Sequence, residues 1–407
     1  MRQRMLISAL GLLLLMTALP AAAQTPEASP VPVGALDTRS LDIEADPSSL
    51  ALSPDGQWLA GVGPDGTPCF WDIETLTPKC AAEELPILTN PSYPAMAWAP
   101  DSSAVAFSLD APRLASDSDI YVFEREGGTL TNLTDDGYDG GLLDAPAGVP
   151  IDIVPTWSPD GQQIVFSRSL RENDSSSTTV MRIDRTGGEP VAIVTPEIEE
   201  PMAVWMPMHW LPDDTILYSL VSMRPDEPLN GVWRVGVDGT GAEQLIPGDA
   251  DSDIPAAMVA DLSADGEMVS VFSPLLLGQF SVSWDQPIFW LGSLHDGARQ
   301  PLPLYDAEEG VALDPASVEP SDANGHPLTF PVSPAAFSPD GSSALAIYRD
   351  VEDGFVLATV DLARGEVAIL SAWPEEAALL PMQPQWADNG TVLVQAESGP
   401  VLLTMRD

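Results

Sequence analysis

The stretch P-T-W-S-P-D-G-Q-Q-I-V-F-S-R, residues 155–168, decides the predicted fold of this chain. Ser158–Gly161 has the residues of a tight type I turn, with serine first, proline second and glycine last. The segment Gln162–Arg168 that follows has I-V-F at its centre, and such β-branched and aromatic residues favour strands. The stretch therefore predicts one strand, a tight turn and a second strand.

The same pattern occurs seven times along the chain. In each copy a bulky apolar residue stands three positions before the aspartate of the turn, or before Asn389 in the last copy. The copies lie at Leu52–Gly56, Trp98–Asp101, Trp157–Gly161, Trp210–Asp213, Leu262–Gly266, Phe337–Gly341 and Trp386–Gly390. Internal repetition of this kind is typical of a propeller or a solenoid.

Further strand patterns extend the copies. After the second copy, Asp119–Phe123 predicts a third strand, Gly127 and Gly128 a turn, and Leu130–Thr134 a fourth strand. Four antiparallel strands in a repeat of about fifty residues make one blade of a β-propeller.

The last copy is one strand short, with strands expected near Gln385, at Thr391–Gln395 and at Pro400–Arg406. The lone strand pattern Leu36–Ile43 near the N-terminus can supply the missing strand and remove the exposed edges of an open ring. The prediction is an all-β fold: a seven-bladed β-propeller of four-stranded antiparallel blades, closed by an N-terminal strand that completes the last blade.

These residues resemble a known family. The W-S-P-D-G turn, the I-V-F run, the D-I-Y-V strand, the G-G turn and the closing L-T are similar to the propeller repeats of TolB-type proteins. Related repeats occur in prolyl oligopeptidases and in WD-type propellers. The resemblance covers Leu36–Asp407 and implies a fold without an activity. There is no room for the α/β domain that precedes the TolB propeller, and no G-x-S-x-G elbow of a peptidase domain is present.

The N-terminus has the pattern of an export signal. Arg2 and Arg4 precede the apolar run Leu6–Leu19, and small residues end at Ala23. We therefore expect a signal peptide at 1–23, a Pro/Ala-rich spacer at 24–35 and the propeller at 36–407, with an uncleaved anchor as the alternative. The expected location is periplasmic, cell-surface or extracellular, and no membrane span is expected after cleavage.

The charge of the chain limits its partners. The formal net charge is −45, the sequence pI is about 4.1, and Lys79 is the single lysine. Phosphate contacts need Lys and Arg, so nucleic acid and anionic lipid are excluded as favoured partners.

The chain has two cysteines, Cys69 and Cys80. They flank a predicted hairpin, and an exported protein meets oxidising conditions, so we expect a disulfide between them. Two free buried thiols are the alternative. A zinc site is excluded by ligand count, because only three scattered histidines accompany the two cysteines.

The tight turns of the repeats fall on one face of the predicted propeller and the longer connections on the other. We call these the turn face and the loop face. Long loops on a rigid scaffold are where binding residues usually lie, so the loop face and the mouth of the central channel are the predicted site. The candidate binding residues are Asp306, Glu308, Glu309, His326, Trp205, Trp284 and Trp373.

Asp249, Asp251 and Asp253 are the best candidate ligands for calcium, because hard cations prefer several carboxylate oxygens. An EF-hand is excluded, since Ile254 stands where glycine is required and Ala260 where glutamate is required. The competing interpretation, which the global acidity favours, is a solvated acidic surface. No other cofactor is predicted.

Catalytic residues are sparse. His209 lies in a predicted first strand, His295 in a turn on the opposite face and His326 in a long loop, which argues against a histidine-metal lyase. The predicted function is therefore a non-catalytic binding or scaffold module for a protein, peptide or glycan, expected as a monomer. An extracellular hydrolase or lyase with carboxylates at the channel mouth is the alternative, and an envelope-associated structural module is a third.

Overall fold

The computed structural model describes residues 37–82, 84–85, 96–108, 118–138, 146–172, 175–196, 208–222, 227–248, 257–273, 288–306, 311–313, 328–350, 354–370 and 379–404. All of them belong to one compact unit, Val33–Asp407.

The repeated turn forms as the sequence predicts, and its serine and aspartate hold it. The Ser158 hydroxyl donates to Asp160 Oδ1 at 2.6 Å and accepts the Gln163 backbone N–H at 2.9 Å. Gly161 closes the turn by donating to the Ser158 carbonyl at 2.9 Å, with φ of +66°. This left-handed conformation favours glycine, and Asp214 adopts it in the fourth repeat at φ +62°.

Each turn joins the first two strands of its repeat, and in six of the seven repeats these strands belong to a four-stranded antiparallel blade. The first two blades contain β2 Ala51–Leu52, β3 Trp58–Val62, β4 Pro68–Asp72 and β5 Pro78–Cys80, then β6 Met96–Trp98, β7 Ala104–Ser108, β8 Ile120–Glu124 and β9 Leu130–Asn132. The third contains β10 Pro150–Trp157, β11 Gln163–Glu172, β12 Ser175–Asp184 and β13 Val191–Val194. The fourth and fifth contain β14 Met208–Trp210, β15 Thr215–Leu220, β16 Gly231–Gly236 and β17 Glu243–Pro247, then β18 Met258–Leu262, β19 Met268–Phe272, β20 Phe289–Ser293 and β21 Arg299–Pro301.

The prediction of seven four-stranded blades is wrong. In the described residues six sheets are four-stranded blades, and the sixth repeat instead forms part of one larger sheet of seven strands. Its strands are β22 Leu304–Asp306, β23 Val311–Leu313, β24 Leu328–Pro331, β25 Ala336–Phe337, β26 Ser343–Asp350, β27 Gly354–Asp361 and β28 Val367–Ile369.

The reason lies in β26. Its first half pairs with β25, but Tyr348 and Arg349 near its end pair with Pro331 and Phe330 of β24. β24 in turn pairs with the β22–β23 hairpin. Tyr305–Val332, one of the longer connections expected as loops on the loop face, therefore adds strands to this sheet.

The remaining sheet is the closing blade, and it joins the two ends of the described chain. It contains β29 Gln385–Trp386, β30 Thr391–Ala396 and β31 Gly399–Thr404, with β1 Asp37–Ser40 paired antiparallel to β31. This pairing of an N-terminal strand with the last repeat was expected from the sequence. The innermost strands β2 and β29 contact each other, so the first blade lies against the closing blade.

The core lies between neighbouring sheets. Ile164 and Phe166 of β11 pack against Ala104 and Ala106 of the preceding blade, and all four are fully buried. On the other face of β11, Val165 packs with residues of the fourth blade. Both faces of these second strands are therefore buried, which is why they read as continuous apolar runs and not as alternating patterns.

The predicted disulfide between Cys69 and Cys80 is present. The two residues are direct partners in the pairing of β4 with β5, with Cα atoms 4.0 Å apart. The bond ties the outermost strand of the first blade to its neighbour. None of the described residues forms a helix long and apolar enough to cross a membrane.

Candidate functional site

Most of the sequence-predicted site residues lie outside the described residues, so their predictions stay untested. These are Glu308, Glu309, His326, Trp205, Trp284, Trp373 and the calcium candidates Asp249, Asp251 and Asp253.

Asp306 is described, and it does not lie in an exposed loop. It is the last residue of β22, pairs with Val311 and Leu328, and is only 5 % exposed. The strands that enlarge this sheet enclose it.

Two of the three histidines are described. His209 lies in β14, where burial lowers its pKa to about 4, so its imidazole is neutral at physiological pH. His295 lies in an exposed turn between β20 and β21, on the turn face. Both positions agree with the expected separation of the histidines.

The described loop face contains a buried polar network between the second and third blades. Asp119, directly before β8, accepts hydrogen bonds from Asn132 Nδ2 at 2.7 Å and from the Thr134 hydroxyl at 3.2 Å. Asn132 Nδ2 also donates to the Tyr121 hydroxyl at 3.2 Å. These contacts fix the start of β8 to the end of β9.

The third blade contributes an ion pair to the same network. The Arg168 guanidinium makes two hydrogen bonds to Asp152, Nε to Oδ1 at 2.8 Å and Nη2 to Oδ2 at 2.7 Å. The Asp152 side chain is fully buried, and its backbone N–H donates to the Ser118 carbonyl at 2.7 Å. The guanidinium also lies 5.6 Å from the Phe166 ring centroid. The planar, two-pronged charge pair thus joins β10 to β11 within the third blade.

The two carboxyl groups have similar electrostatics. Burial raises the pKa of Asp119, against the lowering effect of Asn132 and Thr134. Burial also raises the pKa of Asp152, against the hydrogen bonds and charge of Arg168. The two carboxylates repel each other, which adds to the rise in the pKa of Asp152.

An exposed acidic turn lies directly above this network. Asp135 accepts the Gly137 backbone N–H at 2.9 Å, and Asp136 accepts that of Tyr138 at 2.8 Å. Both aspartates are exposed and follow Thr134, whose hydroxyl belongs to the network. Two surface carboxylates are therefore held on a buried base, a geometry that suits recognition of donors or cations.

The sequence analysis did not identify Asp119, Asp152 and Arg168 as one site. The sequence did indicate that these two charges are paired. Asp152 and Arg168 interrupt apolar strand patterns, and charged residues in buried strands are usually paired. Their pairing partner could not be read from the sequence. Within the described parts of the chain, no group of three or more His, Cys, Asp or Glu residues is arranged to hold a metal ion.

The described strands define a β-propeller, and its described loop face carries the exposed carboxylates of Asp135 and Asp136. No protein-family model matches the chain, and no curated protein matches it in sequence. Solved structures match its fold. One is an oligogalacturonate lyase in complex with manganese, with a TM-score of 0.55, 13 % identity and 91 % of each chain covered.

Two further solved structures have a similar fold. The β-propeller domain of Cps50 (Swd1) from Myceliophteria thermophila has a TM-score of 0.50 and 13 % identity over 91 % of this chain and 99 % of that one. TolB from Acinetobacter baumannii has a TM-score of 0.43 and 12 % identity over 87 % of this chain and 78 % of that one. At these identities the likeness concerns the fold alone, which proteins of different kinds share.

Proposed function

We propose that this protein is an exported, non-catalytic propeller that binds a protein, peptide or glycan partner through its acidic loop face. The observation that carries the proposal is the exposed pair Asp135 and Asp136 above the buried network of Asp119, Asp152 and Arg168. A rigid base lowers the entropy lost on binding, because the exposed groups are already positioned.

The distribution of basic groups supports an acidic docking surface. Many described basic side chains are bonded to other groups of this chain. Examples are Arg39 with the Glu74 carbonyl, Lys79 with the Arg125 carbonyl, Arg185 with Glu124, Arg234 with Glu243 and Arg299 with the Pro247 carbonyl. Together with the net charge of −45, this favours a basic or neutral partner surface.

The test is capture of partners from the native secretome by the purified protein, at low and at high salt. Asp135→Asn with Asp136→Asn keeps the side-chain acceptors but removes two charges from the loop face. Asp213→Asn with Asp214→Asn removes two charges from exposed positions on the turn face and is the matched control. We expect the loop-face variant to lose a partner that the wild type and the control retain, with weaker capture at high salt. Equal capture by the two double variants would contradict the proposal.

Export is tested separately. N-terminal sequencing of the secreted protein should begin at Gln24 if the signal segment 1–23 is removed. A mature chain that begins at Met1 would support an uncleaved anchor.

A second candidate function is hydrolysis or elimination by paired carboxyl groups. The observation in its favour is the raised pKa of both Asp119 and Asp152, since a protonated carboxyl beside an ionised one can serve as acid and base. Turnover of a glycan, lactone or peptide library that Asp119→Asn abolishes would establish this function in place of the first.

A further inference from the structure

A cavity of about 320 Å³ opens on the turn face, where the innermost strands β18, β25 and β29 meet. The three strands end at this cavity, and the turns that follow them begin there. Backbone, carboxyl and aromatic groups therefore line the same cavity. The cavity is lined by Ala260, Asp261, Leu262, Ala264, Ala336, Phe337, Ser338, Pro339, Gln383, Pro384, Gln385, Trp386 and Asp388. It is separate from the loop-face network, which lies at the other end of the strands.

Trp386 has a spare hydrogen-bond donor in the wall of this cavity. The tryptophans at the same repeat position in the second and third blades donate from Nε1 to the preceding inner strand, Trp98 to Ala51 O at 3.0 Å and Trp157 to Ala97 O at 2.9 Å. Trp386 Nε1 is buried, and no described group accepts from it. Trp210 Nε1 is also buried without a described acceptor. The inner strand of the blade before Trp210, β10, has a register shift.

Gln383 supplies a spare acceptor. Its Nε2 donates to the Ala260 and Ala335 carbonyls at 3.3 Å each, and two carbonyl acceptors fix the orientation of the amide. Its Oε1 is therefore an acceptor, and it is buried without a partner in the described chain. An unsatisfied buried polar atom costs free energy that a bound group with a matching donor can recover.

Asp261 adds a negative charge. Its Oδ2 accepts the Phe337 backbone N–H across the strand boundary at 2.7 Å. Asp388 is an exposed carboxylate at the rim, and none of the described lining residues is basic. The Trp386 and Phe337 rings add aromatic surface, which also attracts cations.

We propose that this cavity binds a small organic cation: an ammonium or guanidinium group carried close to a hydrogen-bond acceptor. The cation meets Asp261, Asp388 and the acceptor of Gln383, and the ligand's own acceptor meets Trp386 Nε1. The volume matches a ligand of amino-acid size and is at the small end of ligand pockets in general.

The probe is L-argininamide, which carries a guanidinium and a carbonyl, measured by isothermal titration calorimetry. L-citrullinamide is the matched neutral probe, because a urea replaces the guanidinium at nearly the same size. We expect argininamide to bind at least about tenfold more tightly than citrullinamide, since a charge-assisted contact is stronger than a neutral one.

Two variants test the assigned groups. Asp261→Asn should weaken argininamide binding by about tenfold or more and leave citrullinamide binding nearly unchanged. Trp386→Phe keeps the aromatic ring but removes the spare donor, and it should weaken binding by about fivefold without lowering the melting temperature. Trp98→Phe is the matched control, because it removes a donor that is already satisfied. It should lower the melting temperature and leave binding unchanged.

The outcome is independent of the loop face. Asp135→Asn with Asp136→Asn should bind argininamide as the wild type does, so failure of partner docking and failure of this site give different results. The proposal is overturned if argininamide shows no binding up to about 10 mM, a level at which even a very weak site is measurable. It is also overturned if both probes bind equally, or if Asp261→Asn binds argininamide as tightly as the wild type.

Discussion

The ionisation of the Asp261 carboxyl makes the stability of the folded protein depend on pH. Burial raises its pKa from 3.8 to about 6, against the lowering effect of the backbone N–H groups of Phe337 and Leu262. Between these pH values the folded state holds a proton that the unfolded state has released. The stability of the folded state therefore falls as the pH rises through this window, and the full penalty is present above it.

Replacing Asp261 by asparagine should remove this dependence. Asparagine does not titrate, and its Oδ1 can still accept the Phe337 N–H. Relative to wild type, the free energy of unfolding of Asp261→Asn should increase from pH 3.5 to pH 7 by at most about 3 kcal/mol. Urea unfolding at both pH values measures the difference, with Asp388→Asn as a control for net charge. A constant difference between wild type and Asp261→Asn would show that folding does not raise the pKa of this carboxyl.

Single residues also show what could be predicted from sequence. The serine, proline, aspartate and glycine of Ser158–Gly161 determine their turn through contacts within five residues, so the pattern was sufficient. The burial of Asp306 depends on Val311 and Leu328, whose pairing with β22 no local pattern records. The conformation of a turn could therefore be predicted from the sequence, whereas the burial of a charged residue could be seen only in the tertiary structure.

At the scale of elements, the Arg168–Asp152 pair joins β10 to β11. Removing one partner of a buried pair leaves an uncompensated charge. Arg168→Leu should therefore lower the free energy of unfolding by about 3–5 kcal/mol. The Arg234–Glu243 pair between β16 and β17 is more exposed, and Arg234→Leu should cost about 1 kcal/mol or less.

Chemical denaturation of both variants measures this contrast. The double variant Arg168→Leu with Asp152→Leu should recover much of the loss, because no charge then remains buried. If Arg168→Leu and Arg234→Leu lower the free energy of unfolding by similar amounts, burial does not make the Arg168–Asp152 pair more important for stability.

Elements also show where the sequence prediction failed. The seven turn copies located the strand pairs that flank each turn, because turn chemistry and apolar runs are local. The connection Tyr305–Val332 has no such turn and was expected as a loop, although β22, β23 and β24 lie in it. These short strands exist because the long β26 offers its free edge to β24. Such pairing between distant segments determined the enlarged sheet and the blade number of six.

At the scale of the whole molecule, closure depends on contacts between the first and last described segments. The Gln385 side chain bridges β29 to the first blade, accepting from Leu52 N and donating to Leu50 O at 2.6 Å each. The Asp388 backbone N–H donates to the Pro54 carbonyl at 2.9 Å. These hydrogen bonds connect the inner edges of two blades that are more than 300 residues apart in sequence. They hold the first blade and the closing blade in position where the inner strands β2 and β29 are only two residues long.

Strand β1 closes the outer edge, and its removal tests how much the closure stabilises the fold. β1 pairs with β31 over Asp37–Ser40, and Leu41 N donates to Pro400 O at 2.9 Å. Leu41 is 3 % exposed and packs in the same core cluster as Leu402. A variant without residues 37–41 should lose at least about 2–3 kcal/mol from the burial of Leu41 alone, and more from the unpaired edge of β31. A variant without residues 1–36 keeps β1 and should melt at the same temperature as the mature protein. Differential scanning calorimetry of the two variants decides the question, because equal melting temperatures would mean that β31 is stable without β1 and that the inner contacts close the fold by themselves.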